Sequence, residues 1–132
     1  MEKIKIIILE NDEDEQDFMK EGFEESGYFE IIAFADSGEE LLEYLYNHNN
    51  PLPDLLLSDL NMPGKNGYDI LRELRADKRF SNLPIIITST SSLKMVVDTC
   101  MQLGATKFIK KPETFVDYGR YAKELADTII NP

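Results

Sequence analysis

The chain has 132 residues, enough for one compact domain and too few for two ordinary ones, and 42% hydrophobic with 30% charged residues are globular proportions. Twenty-five acids against 14 bases leave a net charge of −11, which argues against binding to nucleic acid or anionic lipid. No apolar run approaches the roughly 18 residues of a membrane span, no signal-peptide core follows Met1-Glu2-Lys3-Ile4-Lys5, and the single Cys100 cannot close an internal disulfide.

Along the chain, Ile4 to Leu9 is a β-branched run that predicts a buried strand. It leads into Glu10, Asp12, Glu13, Asp14, Glu15 and Asp17, a cluster read as metal ligands at its start and a solvated first helical turn beyond. Phe18, Met19, Gly22 and Phe23 recur at helical spacing, and Ser26-Gly27 ends that helix. Glu30 to Phe34 is a second strand. Ser37 with Glu40 reads as a capping box opening a helix that carries Leu41, Leu42 and Leu45.

Asp54 to Asp59 is a third strand, followed by the Met62-Pro63-Gly64-Lys65-Asn66-Gly67 loop and a helix with Ile70, Leu71 and Leu74. Pro84 to Thr88 is a fourth strand, and Leu93, Val96, Val97, Cys100 and Leu103 form the next helical stripe, closed by Gly104. Lys107 to Lys110 is a fifth strand. Phe115, Tyr118, Ala122, Leu125 and Ile129, three and four apart, give the last helix. Five strands alternating with helices predict an α/β fold with a parallel sheet covered on both faces.

Ligands of an open parallel sheet bind beyond the carboxyl ends of its strands, where the strand order reverses. In the order 2-1-3-4-5, strands one and three are neighbours, so Glu10-Asn11-Asp12 faces Asp59. Thr88-Ser89-Thr90 and Lys110-Lys111-Pro112 then end the next two strands. That is a cation site beside a nucleophilic carboxylate, flanked by a hydroxyl and an ammonium suited to phosphoryl oxygens.

The whole arrangement resembles the receiver domain of two-component response regulators. The likeness is carried by the strand-one acids, Leu56-Leu57-Ser58-Asp59-Leu60-Asn61-Met62-Pro63-Gly64-Lys65-Asn66-Gly67, Pro84-Ile85-Ile86-Ile87-Thr88-Ser89-Thr90 and Phe108-Ile109-Lys110-Lys111-Pro112. It implies a flavodoxin-like doubly wound (βα)5 sheet and a single stand-alone domain over 1–132 with no output domain. It also implies a cytoplasmic, non-enzymatic signalling switch. The resemblance makes Asp59 the acceptor of a phosphoryl group from a histidine kinase or phosphotransfer protein. It makes Ser89 the reporting hydroxyl and Lys111 the phosphoryl-pairing lysine. Mg²⁺ would be held by Glu10, Asn11, Asp59 and the backbone carbonyl of Asn61. Phe108 and Thr90 fall at switch positions, a cis bond precedes Pro112, and the last two helices with strand five form the partner-binding surface.

Two positions depart from the family pattern. Asn11 stands where a second aspartate is usual, which weakens the expected Mg²⁺ site, with Asp12 as a candidate substitute. Phe108 stands where tyrosine is common, so an inward rotation would be driven by packing alone. Two other readings share the strand-end residues. A haloacid-dehalogenase-type phosphatase also uses a strand-end Asp, Ser/Thr and Lys, but its general acid is replaced here by Asn61. A phosphorylation-independent pseudo-receiver is favoured only by Asn11. His48, in a polar loop, and Cys100, on an apolar stripe, are read as structural.

Overall fold

A computed structural model describes residues 2–131; Met1 and Pro132, the two ends of the expected 1–132 domain, lie outside them. Five parallel strands, β1 (Ile4–Leu9), β2 (Phe29–Ala35), β3 (Leu55–Asp59), β4 (Ile85–Ser89) and β5 (Lys107–Lys110), pair in the order β2-β1-β3-β4-β5. The expected flavodoxin-like topology is therefore the observed one. Helices α1 (Glu13–Ser26) and α5 (Tyr118–Ile130) cover one face; α2 (Gly38–Tyr46), α3 (Gly67–Ala76) and α4 (Lys94–Gln102) cover the other.

The central strands are apolar throughout because both of their faces are covered. Ile7, Leu9, Leu56, Ile85 and Ile87 pack against Leu41, Leu45, Ile70, Leu71, Leu74 and Cys100. Their alternates Ile6, Ile8, Leu55, Leu57 and Ile86 pack against Met19, Phe23, Tyr121, Ala122 and Leu125. Period-two alternation of side chains thus sends consecutive isoleucines and leucines into two separate cores. It also decides that Glu10, Asp59 and Thr88, two residues beyond Ile8, Leu57 and Ile86, emerge on the α1/α5 side.

Local chemistry sets the helix ends. Asp12 caps α1 by accepting from the Glu15 N–H at 3.0 Å, and Gly27, at φ 79°, ends it in the left-handed region that favours glycine. Ser37 caps α2 through the Glu40 N–H at 3.1 Å. The reciprocal bonds of a full capping box form instead at α3, between Asn66 and Asp69. The last helix is shorter than its apolar spacing predicts: Phe115–Asp117 forms a separate 3₁₀ turn before α5 begins. A second such turn, Lys78–Phe80, follows α3.

Two expectations are corrected here. The Lys111–Pro112 bond is trans, since no cis peptide occurs among the described residues; trans is the favoured isomer even before proline, by about 0.5–1 kcal/mol. The apolar face of α1 comprises Met19, Gly22 and Phe23 with Glu15 in place of Phe18, which is 38% exposed and packs on Phe115.

Candidate functional site

The carboxyl ends of β1, β3, β4 and β5 bring Glu10, Asp59, Ser89 and Lys111 to one end of the sheet. Asp59 is the last residue of β3 and lies beside Thr88 in the ladder, while Ser89 lies beside Lys110. The chain runs on from β5 into Lys111, whose N–H donates to the Ser89 carbonyl at 2.9 Å. That bond holds the lysine stem at the site.

The Lys111 ammonium is the hub. Its Nζ lies 2.8 Å from Glu10 Oε1, 3.0 Å from Glu15 Oε2 and 3.2 Å from Asp59 Oδ2. It donates hydrogen bonds to Glu10 and Asp59, and Glu15 pairs with it as a third carboxylate. Burial alone would lower the Lys111 pKa. The hydrogen bond to Glu10 and the charges of Asp59 and Glu10 outweigh burial and hold it above the ordinary lysine value. Burial has the opposite effect on the acids: it raises both Glu10 and Asp59 above the carboxylate range, against the lowering pull of Lys111. With all three carboxylates ionised, this pocket keeps two uncompensated negative charges.

The remaining bonds orient these groups. The Asn61 N–H donates to Asp59 Oδ1 at 3.2 Å, and the Asp12 N–H donates to Glu10 Oε2 at 3.2 Å. Ser89 is fully buried, and its Oγ accepts from Asn61 Nδ2 at 3.1 Å and from the Ser91 N–H at 3.2 Å. The neighbouring Thr88 instead donates to the Ile109 carbonyl and accepts from the Tyr121 hydroxyl, both at 2.7 Å. Of the three hydroxyls Thr88, Ser89 and Thr90, only Ser89 is bonded to a side chain of the acceptor loop. Thr90 is exposed, and Phe108 is half-buried against the α3/α4 core.

Glu10, Asp59, Asn61, Ser89 and Lys111 are brought together; Asn11 is exposed and outside this bonded set. Asp12 is exposed, and its Oδ1 caps α1. Glu15, expected in a solvated turn, is 6% exposed and sits on Lys111, with the Tyr118 hydroxyl of α5 donating to the same Oε2. A signal for it exists in the chain: Glu15 is four and eight residues before Met19 and Phe23, the start of the buried stripe of α1.

Among the described residues, no three acidic, histidine or cysteine side chains form a ready-made metal cage. Two buried carboxylates and a surplus of two negative charges nevertheless match what Mg²⁺ takes, which is one or two carboxylates with water completing the shell. The residues present fit a hard divalent cation.

Residues 6–118 match the family described as "Response regulator receiver domain". The sequence is 32% identical to the chemotaxis protein CheY1 of Helicobacter pylori over 111 residues, 84% of this chain and 87% of that protein. The fold is similar to response regulator RPA3017 in red light signalling of R. palustris, with TM-score 0.84 and 27% identity over 97% of this chain and 94% of that one. It is also similar to the Mn²⁺-bound form of response regulator Rcp1, with TM-score 0.84 and 21% identity over 97% and 95%.

Proposed function

This chain belongs to the receiver-domain family of two-component response regulators, and on that footing we propose that Asp59 is its phospho-acceptor. The family is one of signalling switches that accept a phosphoryl group, and its members work with histidine kinases or phosphotransfer proteins and bind divalent metal. The observation that carries the assignment is the buried Lys111 ammonium bridging Glu10 and Asp59 at the carboxyl end of the sheet.

In the proposed reaction an Asp59 carboxylate oxygen forms the new P–O bond as the P–N bond of a donor phosphohistidine breaks. The donor imidazole leaves with the electron pair and takes up a proton. Lys111 is placed to pair with the transferring phosphoryl oxygens, which spread their charge over three atoms in the transition state. Ser89 is the hydroxyl that turns towards the new phosphoryl group, exchanging its bonds from Asn61 and Ser91 for one it donates. Glu10, Asn11, Asp59 and the Asn61 carbonyl would hold a divalent cation, proposed as Mg²⁺, which would neutralise charge on the transferring phosphoryl group. Asn11 contributes no carboxylate to it. The half-buried Phe108 then repacks without a hydroxyl to satisfy, and the surface of α4, β5 and α5 changes for a partner protein.

Intact-mass spectrometry with a small phosphodonor tests the assignment. The expected result is a Mg²⁺-dependent gain of one phosphoryl group in wild type and none in Asp59→Asn. Equal labelling of Asp59→Asn would overturn it. No helix among the described residues is long and apolar enough to cross a membrane.

A further inference from the structure

Glu15 belongs to no ligand or nucleophile set described above, yet it is a buried carboxylate inside the site. Its Oε2 forms an ion pair with the Lys111 ammonium at 3.0 Å and accepts from the Tyr118 hydroxyl. Three features place it there. Asp12 caps α1 and starts the first turn so that residue 15 faces inward. Gly22 lets α1 and α5 approach so closely that a Cβ on it would lie 2.6 Å from the Gly119 nitrogen. Tyr118 opens α5 at the level of the site.

The charge around Lys111 gives this carboxylate a task. Asn11 is neutral and exposed, so Glu10 and Asp59 alone would leave one negative charge beside the ammonium. Glu15 restores the second. It also competes for the ammonium: without it, Lys111 would turn its third donor more fully on Glu10 and Asp59, the oxygens a cation must share. We infer that Glu15 is a positioning residue for the phospho-acceptor site, supplying through Lys111 the negative charge that Asn11 does not. It holds the ammonium from a third side while Lys111 also bonds Glu10 and Asp59. The inference rests on the receiver reading of Asp59, but it concerns cation affinity, which is read without phosphorylation.

Calorimetric titration of Mg²⁺ into the unphosphorylated full chain tests it. Glu15→Gln keeps the length and an oxygen for the Tyr118 hydroxyl but removes the charge, and is expected to weaken Mg²⁺ binding on the order of tenfold. Adding Asn11→Asp to Glu15→Gln is expected to return affinity to within about threefold of wild type, since the lost charge comes back at the neighbouring position. Tyr118→Phe removes the hydroxyl that helps to hold Glu15 but keeps the charge, so its loss of affinity should be clearly smaller than that of Glu15→Gln.

Equal affinity of Glu15→Gln and wild type overturns the role, as does a Tyr118→Phe loss as large as that of Glu15→Gln, which would mark packing rather than charge. Failure of Asn11→Asp to restore binding in a folded double variant also overturns it. A wild type that takes up phosphate on Asp59 while Glu15→Gln binds Mg²⁺ normally sinks this inference alone. A wild type that binds Mg²⁺ but gains no phosphoryl group sinks the acceptor assignment alone.

Discussion

Asp59 is held in a conflict of charges. Burial and the neighbouring Glu15 raise its pKa, and Lys111 only partly offsets them. Asp59→Asn removes one of three carboxylates competing for one ammonium, so the protein without metal is expected to become more stable by about 1–2 kcal/mol. Chemical denaturation in the presence of a chelator reads that change. Lys111→Met is the opposite case, because it leaves Glu10, Glu15 and Asp59 buried without a cation. A loss of roughly 3–5 kcal/mol is expected in the same measurement. Cys100 carries none of this chemistry: it is fully buried in the α2/α3/α4 core, and burial pushes its thiol pKa up. Alkylation at pH 8 should be negligible in the native protein and rapid in denaturant; fast native labelling would contradict the placement.

Among elements, the crossing of α1 and α5 matters most for the site, because it carries Glu15 to Tyr118 and closes the side of the lysine pocket. Gly22 sits at that crossing. A Cβ there would lie 2.6 Å from both the Gly119 nitrogen and the Tyr118 carbonyl carbon. These are backbone atoms that cannot yield without moving a helix. Gly22→Ala is therefore expected to cost about 2–3 kcal/mol and to weaken Mg²⁺ binding with it. Gly27→Ala makes the useful contrast. It meets nothing within 4 Å, but its φ of 79° is strained for a side chain, so the cost should be about 1 kcal/mol with no effect on the site. Thermal unfolding and metal titration of the two variants check both halves of the contrast.

For the molecule as a whole, the relevant quantity is a net charge of −11 with part of the surplus buried at one end of the sheet. A divalent cation bound only by the folded chain stabilises it by mass action. At ten times the dissociation constant the gain is about 1.4 kcal/mol. For a chain of this length that corresponds to a melting point about 5 °C higher. The same concentration of a monovalent salt, which screens surface charge but does not fill the pocket, should raise it far less. Equal shifts from the two salts would contradict a specific site.

Much of this was readable along the chain. The five strands and their parallel arrangement follow from β-branched runs alternating with helical stripes, while the order 2-1-3-4-5 was implied by the likeness to receiver domains. Period-two and period-3.6 patterns are local properties of the chain. Glu10, Asp59, Ser89 and Lys111 were legible because each lies within two residues of where an apolar run stops, and the likeness to receiver domains singled them out from their polar neighbours Ser58, Thr88 and Lys110. Other features depended on which elements touch. The 3₁₀ turn at Phe115–Asp117 interrupts a spacing that continues without a break in sequence. The entry of Glu15 into the pocket required the α1/α5 crossing. In sequence Glu15 is one acid among six; only when Tyr118, 103 residues away, closes over it does burial set it, with Glu10, apart from the other four. Sequence by itself determined the elements and the strand-end chemistry, since those depend on residues near one another in the chain. Tertiary structure decided which acids share the lysine, because desolvation and charge depend on neighbours that only packing supplies.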